Sequence, residues 1–395
     1  MNSTAPTFAD FSNPNQVLLN QAGGVTQLMT PCLVVDLPAM ERNIDKMAGL
    51  ARARQVDLRP HAKTHKCLEI ARRQLAGGAV GMCTATLGEA APLLAGGIED
   101  ILITSPAIGP GKPERLLQLR QQSEQIKIVI DSPDNLNTLA ALMKHAGLVL
   151  QVMVGLDIGA HRIGARTVDE ALALARAAKA ATHLELVGVF AYAGTLQHIA
   201  DYAERQLAVA SANQRIERLV AAIRGLGVSD LIVSGGGTGS SAIDLGAGVY
   251  SELQVGSYLL MDIEYGAVDL SDAAEQPFEQ SLWVMTRVIG ANHPGFVTTD
   301  AGTKRFSMGG LSPVVCGGPA DGAEYFFQGD EHGLIRLADV PNDAPSSQSP
   351  VLPLETLVRV RPPHCDPTVN LYDRIHVIDG DRLVDIWAVE GRGAV

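Results

Sequence analysis

From Thr30 to about Leu270 the chain alternates short apolar runs with helical patterns, and no other feature restricts its fold as strongly. The runs are Pro31–Val35, Val56–Arg59, Val80–Thr84, Ile101–Thr104, Ile126–Ile130, Leu148–Val154, Leu184–Ala191, Leu231–Ser234 and Leu253–Met261. Most are apolar throughout instead of alternating, as expected of strands buried on both faces in a parallel sheet. After the first run and Asp36, residues Met40, Ile44, Met47 and Leu50 share one helical face, with Pro38 tolerated in the first turn. About eight such β units separated by helices predict an α/β chain built on a (β/α)8 barrel of the TIM type. The rival is an open doubly wound sheet. The barrel is preferred because the glycine-rich turn comes late in the chain and not after the first strand, where a dinucleotide fingerprint would sit.

A barrel accounts for roughly 250 residues, and the chain has 395. Beyond Leu270 the texture changes: Asp272–Pro277 reads as a linker, and Ser281–Ile289, Phe296–Asp300, Leu357–Arg361, Arg374–Asp379 and Leu383–Val389 read as strands. Pro341–Pro350 reads as an exposed loop. The expected organisation is therefore a barrel over 30–268, with 1–29 and 269–395 forming a mostly-β domain. A formal charge of −12 argues against nucleic acid or an anionic membrane as a partner. There is no uninterrupted apolar run of about 18 residues, and the N-terminus is polar, so a cytoplasmic protein acting on small molecules is expected. The five cysteines show no CxxC spacing, which predicts reduced, mostly buried thiols.

Arg59-Pro60-His61-Ala62-Lys63-Thr64-His65-Lys66 is the most unusual local composition. Like charges at the end of an apolar strand call for a compensating anion, and a lysine there can form an imine with a carbonyl, its pKa lowered by cationic neighbours. A solvated basic turn is the plain alternative. Ser234-Gly235-Gly236-Gly237-Thr238-Gly239-Ser240 ends another strand and lets backbone N–H groups crowd a phosphate without Cβ atoms in the way, or is merely a tight loop. Gly256-Ser257 is a second, weaker anion candidate. Arg162 follows the strand ending at Val154 and can meet a ligand oxygen or serve as a structural ion-pair partner; Tyr192 and His198 end the strand from Leu184, and an imidazole there suits proton transfer. In Pro362-Pro363-His364-Cys365-Asp366-Pro367-Thr368 an extended backbone would place His364 and Asp366 on one side, able to share a divalent ion, with Cys365 pointing away. The alternative is an ordered loop with Asp366 capping a turn.

Taken together, these runs and Glu252-Leu253-Gln254-Val255-Gly256-Ser257-Tyr258 resemble the fold-type III enzymes of pyridoxal 5'-phosphate (PLP), in particular the D-threonine aldolase and D-serine dehydratase family with its alanine-racemase-like barrel. The likeness runs from Thr30-Pro31 to Trp387. It implies that Lys63 carries PLP as a Schiff base, with Arg162 near the phenolic oxygen, Tyr192 close to the cofactor, and Gly237, Thr238, Gly256 and Ser257 around the phosphate. Gln254 falls where racemases place an arginine against the pyridine nitrogen, so a neutral amide replaces a cation. His364 and Asp366 match the aldolases' metal ligands, whereas the dehydratases usually read His-x-Cys, and His198 matches a histidine proposed as the base. The implied activity is PLP- and metal-dependent retro-aldol cleavage of D-3-hydroxy amino acids such as D-threonine to glycine and an aldehyde. Alternatives are a 3-hydroxy-D-aspartate aldolase and a dehydratase of D-serine or D-3-hydroxyaspartate. Mn2+, with Zn2+ or Mg2+ as substitutes, and a homodimer are implied likewise. Ala85, Ala193 and Ser105-Pro106 depart from the aldolases, which often carry polar residues there.

Overall fold

In the computed structural model, which describes residues 13–273, 275–293, 295–337 and 352–394, the expected parallel strands pair in one eight-stranded sheet. The expected loop at Pro341–Pro350 lies outside the described residues. The strands follow the order Asp57–Leu58, Glu252–Leu253, Ile232–Gly235, Leu184–Ala191, Leu150–Gly155, Lys127–Ile130, Ile101–Ile103 and Met82–Thr84, each parallel to its neighbour. The two ends of this order also meet. His61 bridges Cys83 in parallel, the Cys83 N–H donates to the Pro60 carbonyl at 2.8 Å, and the Val80 N–H donates to the Leu58 carbonyl at 2.9 Å. The sheet therefore closes on itself as the barrel predicted.

Cys83, Leu102, Val129, Met153 and Phe190, one from each of five neighbouring strands, form a buried cluster, which is how a closed parallel sheet fills its interior. Helices start where the sequence offers caps. The side chains of Thr86, Ser132, Thr167 and Asp201 accept the N–H three residues on, and Thr167 with Glu170 completes a capping box. Helix Leu37–Ala53 buries Met40, Ile44 and Met47 as expected; Leu50 is exposed and Ala51 is buried in its place, because the stripe drifts around a helix of 3.6 residues per turn.

The run Pro31–Val35 does not open the barrel. Cys32–Asp36 pairs antiparallel with Leu282–His293 and parallel with Arg374–Asp379, inside a separate nine-stranded sheet. A short, wholly apolar strand carries no periodicity that distinguishes one buried sheet from another. That sheet continues on one side through Phe296–Thr299, Gly333–Arg336 and Tyr325–Phe327, and on the other to Arg382–Ala388; Leu357–Arg361 pairs with both Leu282–His293 and Val314–Cys316. Leu18, Val25, Leu28, Cys32, Val34, Met285, Ile378 and Leu383 make its core. The run Leu253–Met261 is also shorter as a strand than expected: after Leu253 it turns into the 3-10 helix Ser257–Leu259, and Met261 has φ 55°.

Contacts separate a barrel unit, Ile44–Tyr258 and Ala267–Pro277 with the chain from Gly393, from a β unit comprising residues up to Asn43, Leu259–Gly266 and Phe278–Arg392. This division interleaves more than the expected 30–268 against the rest. Among the described residues no helix is long and apolar enough to cross a membrane. All five cysteines are free thiols, and only Cys316 is not buried.

Candidate active site

Strand Asp57–Leu58 runs through Arg59 and Pro60 into the 3-10 turn Ala62–Thr64, setting Lys63, half-buried, at the C-terminal end of a barrel strand, where barrel sites form. The turn is fixed by its histidines. The Lys63 N–H donates to His61 Nδ1 at 3.4 Å, so the ring proton lies on Nε2, which donates to Thr104 Oγ1 at 3.2 Å; that hydroxyl in turn donates to the Thr84 carbonyl at 3.0 Å. His65 repeats the pattern, accepting the Cys67 N–H at 3.1 Å and donating to Gln74 Oε1 at 3.2 Å.

The cations of this run, expected to await an anion, are in large part already paired within the protein. Arg59 is buried and pairs with Glu252 at 2.8 Å and Asp100 at 2.5 Å, while Lys127 shares Asp100 at 2.6 Å. Burial works against the Arg59 charge, but Glu252 and Asp100 outweigh it and hold its pKa above the usual value. Lys66 pairs with Glu89 at 3.2 Å. Protein carboxylates, distant in sequence and so invisible locally, compensate the cations that were expected to await an anion.

The glycine loop follows strand Ile232–Gly235 and leads into helix Ser241–Ala247. Its glycines answer first to packing. A Cβ at Gly237 would stand 2.6 Å from Gln197 Oε1, one at Gly239 would strike the Gln197 carbonyl, and Gly236 has φ 65° with Asp244 Oδ2 2.6 Å from its Cβ position. Gln197, which local sequence reasoning passed over, accepts the Ser240 N–H at 3.0 Å and donates to Ser240 Oγ at 2.9 Å, tying the rim to the loop. The Tyr258 N–H donates to Thr238 Oγ1 at 3.0 Å, which joins the Ser257 turn to the same loop.

A phosphate still fits. Thr64 Oγ1 is buried with no hydrogen-bond partner among the described residues, and it faces Gly256, where any Cβ would meet it. An unspent hydroxyl donor beside Cβ-free backbone is suited to a phosphate oxygen. Gln254 is buried and donates through Nε2 to Ser234 Oγ at 2.8 Å, so a neutral amide reaches the interior near this turn. Tyr192 packs, half-buried, against the barrel cluster, and His198 ends the exposed side of the 3-10 helix Gly194–His198. Arg162 is exposed on the loop after Leu150–Gly155, a loop shaped by Asp157, whose Oδ1 accepts the N–H of Gly159 at 2.9 Å and of His161 at 3.1 Å.

Within the β unit, the Pro362–Thr368 segment differs from the extended strip expected. His364 is extended, but Cys365–Val369 is a short helix that tolerates Pro367 in its first turn. Cys365 does not point away: its Sγ groups with His364 and Asp262, their donor atoms within 4.8 Å of one another. Asp366 Oδ1 accepts from Cys365 Sγ at 3.3 Å. Burial disfavours a charged His364 ring, yet the hydrogen bond to Asp262 and the nearby Asp366 and Glu264 outweigh it and raise its pKa. Imidazole, thiol and carboxylates together form a donor set suited to a divalent transition ion. Asp262 lies 102 residues before His364, so no local motif could have revealed it.

Comparison with known proteins bears on the family. The model "Alanine racemase, N-terminal domain" matches residues 35–263, and a serine dehydratase domain model matches 281–378. The chain is 38% identical to a D-threonine aldolase of Arthrobacter sp. over 92% of this chain and 93% of that one. It is 33% identical to a 3-hydroxy-D-aspartate aldolase of Paracoccus denitrificans over 93% of each. The crystal structure of a D-threonine aldolase from Filomicrobium marinum superposes with TM-score 0.86 at 34% identity, covering 94% of this chain and 97% of that one. With a closed parallel barrel, a lysine turn at its rim and these full-length likenesses, the chain belongs to the alanine racemase N-terminal-domain family, on the branch that carries the serine dehydratase domain after the barrel.

Proposed function

We propose that this protein is a carbon–carbon lyase that uses PLP and a divalent ion to cleave D-3-hydroxy amino acids to glycine and an aldehyde. The observation that carries the reading is the full-length likeness to two aldolases, at 38% and 33% identity.

Lys63 would hold the cofactor through Nζ. Thr64, Gly237, Thr238, Gly256 and Ser257 would surround its phosphate, Gln254 would stand at the ring nitrogen, and Arg162 and Tyr192 would lie along its oxygen side. Bound there, PLP supplies an electron sink for the carbon left when the Cα–Cβ bond breaks. Held by His61, the turn fixes the backbone that carries Lys63. His198, on the exposed rim, takes the proton of the substrate's 3-hydroxyl on a ring nitrogen. His364 and Asp366, as the resemblance implies, would hold the ion, whose chemistry is to lower the pKa of a bound hydroxyl. The same reading takes Mn2+ as the ion and a homodimer as the assembly, as the sequence resemblance implies; elemental analysis and analytical ultracentrifugation test the two.

A dehydratase is the second reading. The thiol of Cys365 favours it, because a histidine–thiolate pair suits Zn2+ and matches the dehydratases' His-x-Cys usage in chemistry if not in spacing. Product analysis separates them. Glycine and an aldehyde from D-threonine or D-3-hydroxyaspartate support the aldolase; ammonia and a 2-keto acid would replace it with the dehydratase. Lys63→Ala should abolish both turnover and the visible absorption of an imine, and an unimpaired variant would end the PLP reading.

A further inference from the structure

Asp262 belongs to none of the motifs that point to metal chemistry, yet it is the most enclosed acid of the β unit's donor cluster, its side chain 0% exposed. Both of its oxygens are engaged. Oδ1 accepts the Tyr265 N–H at 2.8 Å, while Oδ2 stands 2.9 Å from His364 Nδ1 and accepts the Cys365 N–H at 2.8 Å. His364 is secured by its backbone as well: its N–H donates to Ser307 Oγ at 3.1 Å, its carbonyl accepts from Thr368 Oγ1 at 2.7 Å, and the Ser307 N–H donates to that same hydroxyl at 3.1 Å. Main chain and ring are thus held by separate partners.

A carboxylate against Nδ1 requires the proton there, which leaves the lone pair of the neutral imidazole on Nε2. Metal-binding histidines are commonly oriented in this way by a carboxylate behind the ring. An oxygen that already takes two donors has spent both lone pairs, so Oδ2 is poorly placed to ligate an ion itself. Glu264 cannot substitute as the orienting group, because its Oε2 lies 3.8 Å from Nδ1.

We propose that Asp262 is a positioning residue: it holds His364 in the Nδ1–H tautomer and presents Nε2 to a divalent cation without ligating the cation itself. This rests on the metal reading given above, and the experiment separates the two. Full-length wild type, Asp262→Asn and His364→Gln are titrated with Mn2+ and with Zn2+ alone by calorimetry. The ring tautomer of His364 is read in the metal-free proteins at alkaline pH by 15N NMR of labelled histidine, assigned by its absence in His364→Gln. Asn keeps the size of Asp262 but puts an amide N–H2 where one acceptor stood. The expected result is a single site in wild type, weakened by about 10- to 100-fold in Asp262→Asn, with the tautomer moving from Nδ1–H to Nε2–H.

Binding lost in Asp262→Asn as completely as in His364→Gln, with the tautomer unchanged, would make Asp262 a ligand and overturn the proposal. Unchanged affinity in Asp262→Asn would overturn it too and leave the metal reading intact. A wild type that takes neither ion would overturn both. If Asp262→Asn does not fold, as judged by circular dichroism, wild type decides: an Nε2–H tautomer in the metal-free protein refutes the proposal, and the Nδ1–H form upholds it.

Discussion

Replacing Asp244 with Asn should stabilise the protein progressively as the pH rises. Asp244 is buried behind the glycine loop, where Ser240 Oγ donates to its Oδ2 at 2.5 Å. Burial pushes its carboxyl up to about 7 from an ordinary 3.8, and the Ser240 hydrogen bond only partly opposes this. The folded state therefore holds the proton more tightly than the unfolded one. That contribution is fully present below the unfolded value and is lost as pH rises through the folded one. At about 1.4 kcal/mol per unit, a displacement of about three units is worth about 4 kcal/mol in all, of which roughly 3 is lost between about pH 5 and about pH 8. Asn does not titrate and can still accept from Ser240. Urea unfolding of wild type and Asp244→Asn across that range should show the variant gaining on wild type by a few kcal/mol. A stability difference that stays constant with pH would show that folding does not raise the pKa of this carboxyl, and would refute the prediction.

Three other outcomes follow from the geometry. Gly239→Ala places a Cβ against the Gln197 carbonyl and should distort the loop and weaken PLP binding, whereas Gly246→Ala, with nothing within 4 Å of its Cβ, should leave binding unchanged and stabilise helix Ser241–Ala247 by up to about 1 kcal/mol; fluorescence titration with PLP and thermal unfolding compare them. Arg59→Met leaves the buried Glu252 without its guanidinium while Asp100 keeps Lys127, and should cost about 3 to 5 kcal/mol in chemical unfolding, partly recovered by adding Glu252→Gln. His376 stands 3.1 Å from the Leu33 carbonyl and 3.0 Å from Asn15 Nδ2, and burial pushes it down to about 4. Its unfolded form binds a proton first as pH falls, so wild type should lose up to about 3 kcal/mol relative to His376→Gln between about pH 6.5 and about pH 4 in urea unfolding.

Local pattern made much of the barrel legible. Leu184–Ala191 begins and ends where its apolar run does, because from Gly188 to Ala191 it is buried throughout and only Glu185 is exposed. Lys63 and the glycine loop could be found for a similar reason: each is a short, unusual composition at a strand's end. What stayed hidden is long-range. Arg59 and Glu252 lie 193 residues apart, and no window contains both. Cys32–Asp36 looked like a barrel strand because its residues meet the burial requirement of either sheet equally well, and only its partners Leu282–His293 and Arg374–Asp379 decide. The segment from Cys365 became helical where the prolines of the run suggested extension, because Pro367 falls within a first turn whose N–H groups need no intrahelical acceptor.

The closure of the barrel carries a consequence for how the protein responds to its cofactor. Asp57–Leu58 and Glu252–Leu253 are strands of two residues each, and the ring is completed beside them by the single bridge from His61 to Cys83. This seam is built from short strands, and Lys63 follows directly on one of them. A molecule gripped by Lys63 on one side and by the Gly237–Thr238 and Gly256 turns on the other would span three adjacent strands and act as a clasp. By mass action such a ligand deepens the folded well, and it would do so where the ring opens most readily. Amide exchange slowed by PLP at Leu58, His61 and Leu253, more than on the long strand Leu184–Ala191, would be the mark of a barrel that its cofactor helps to keep shut.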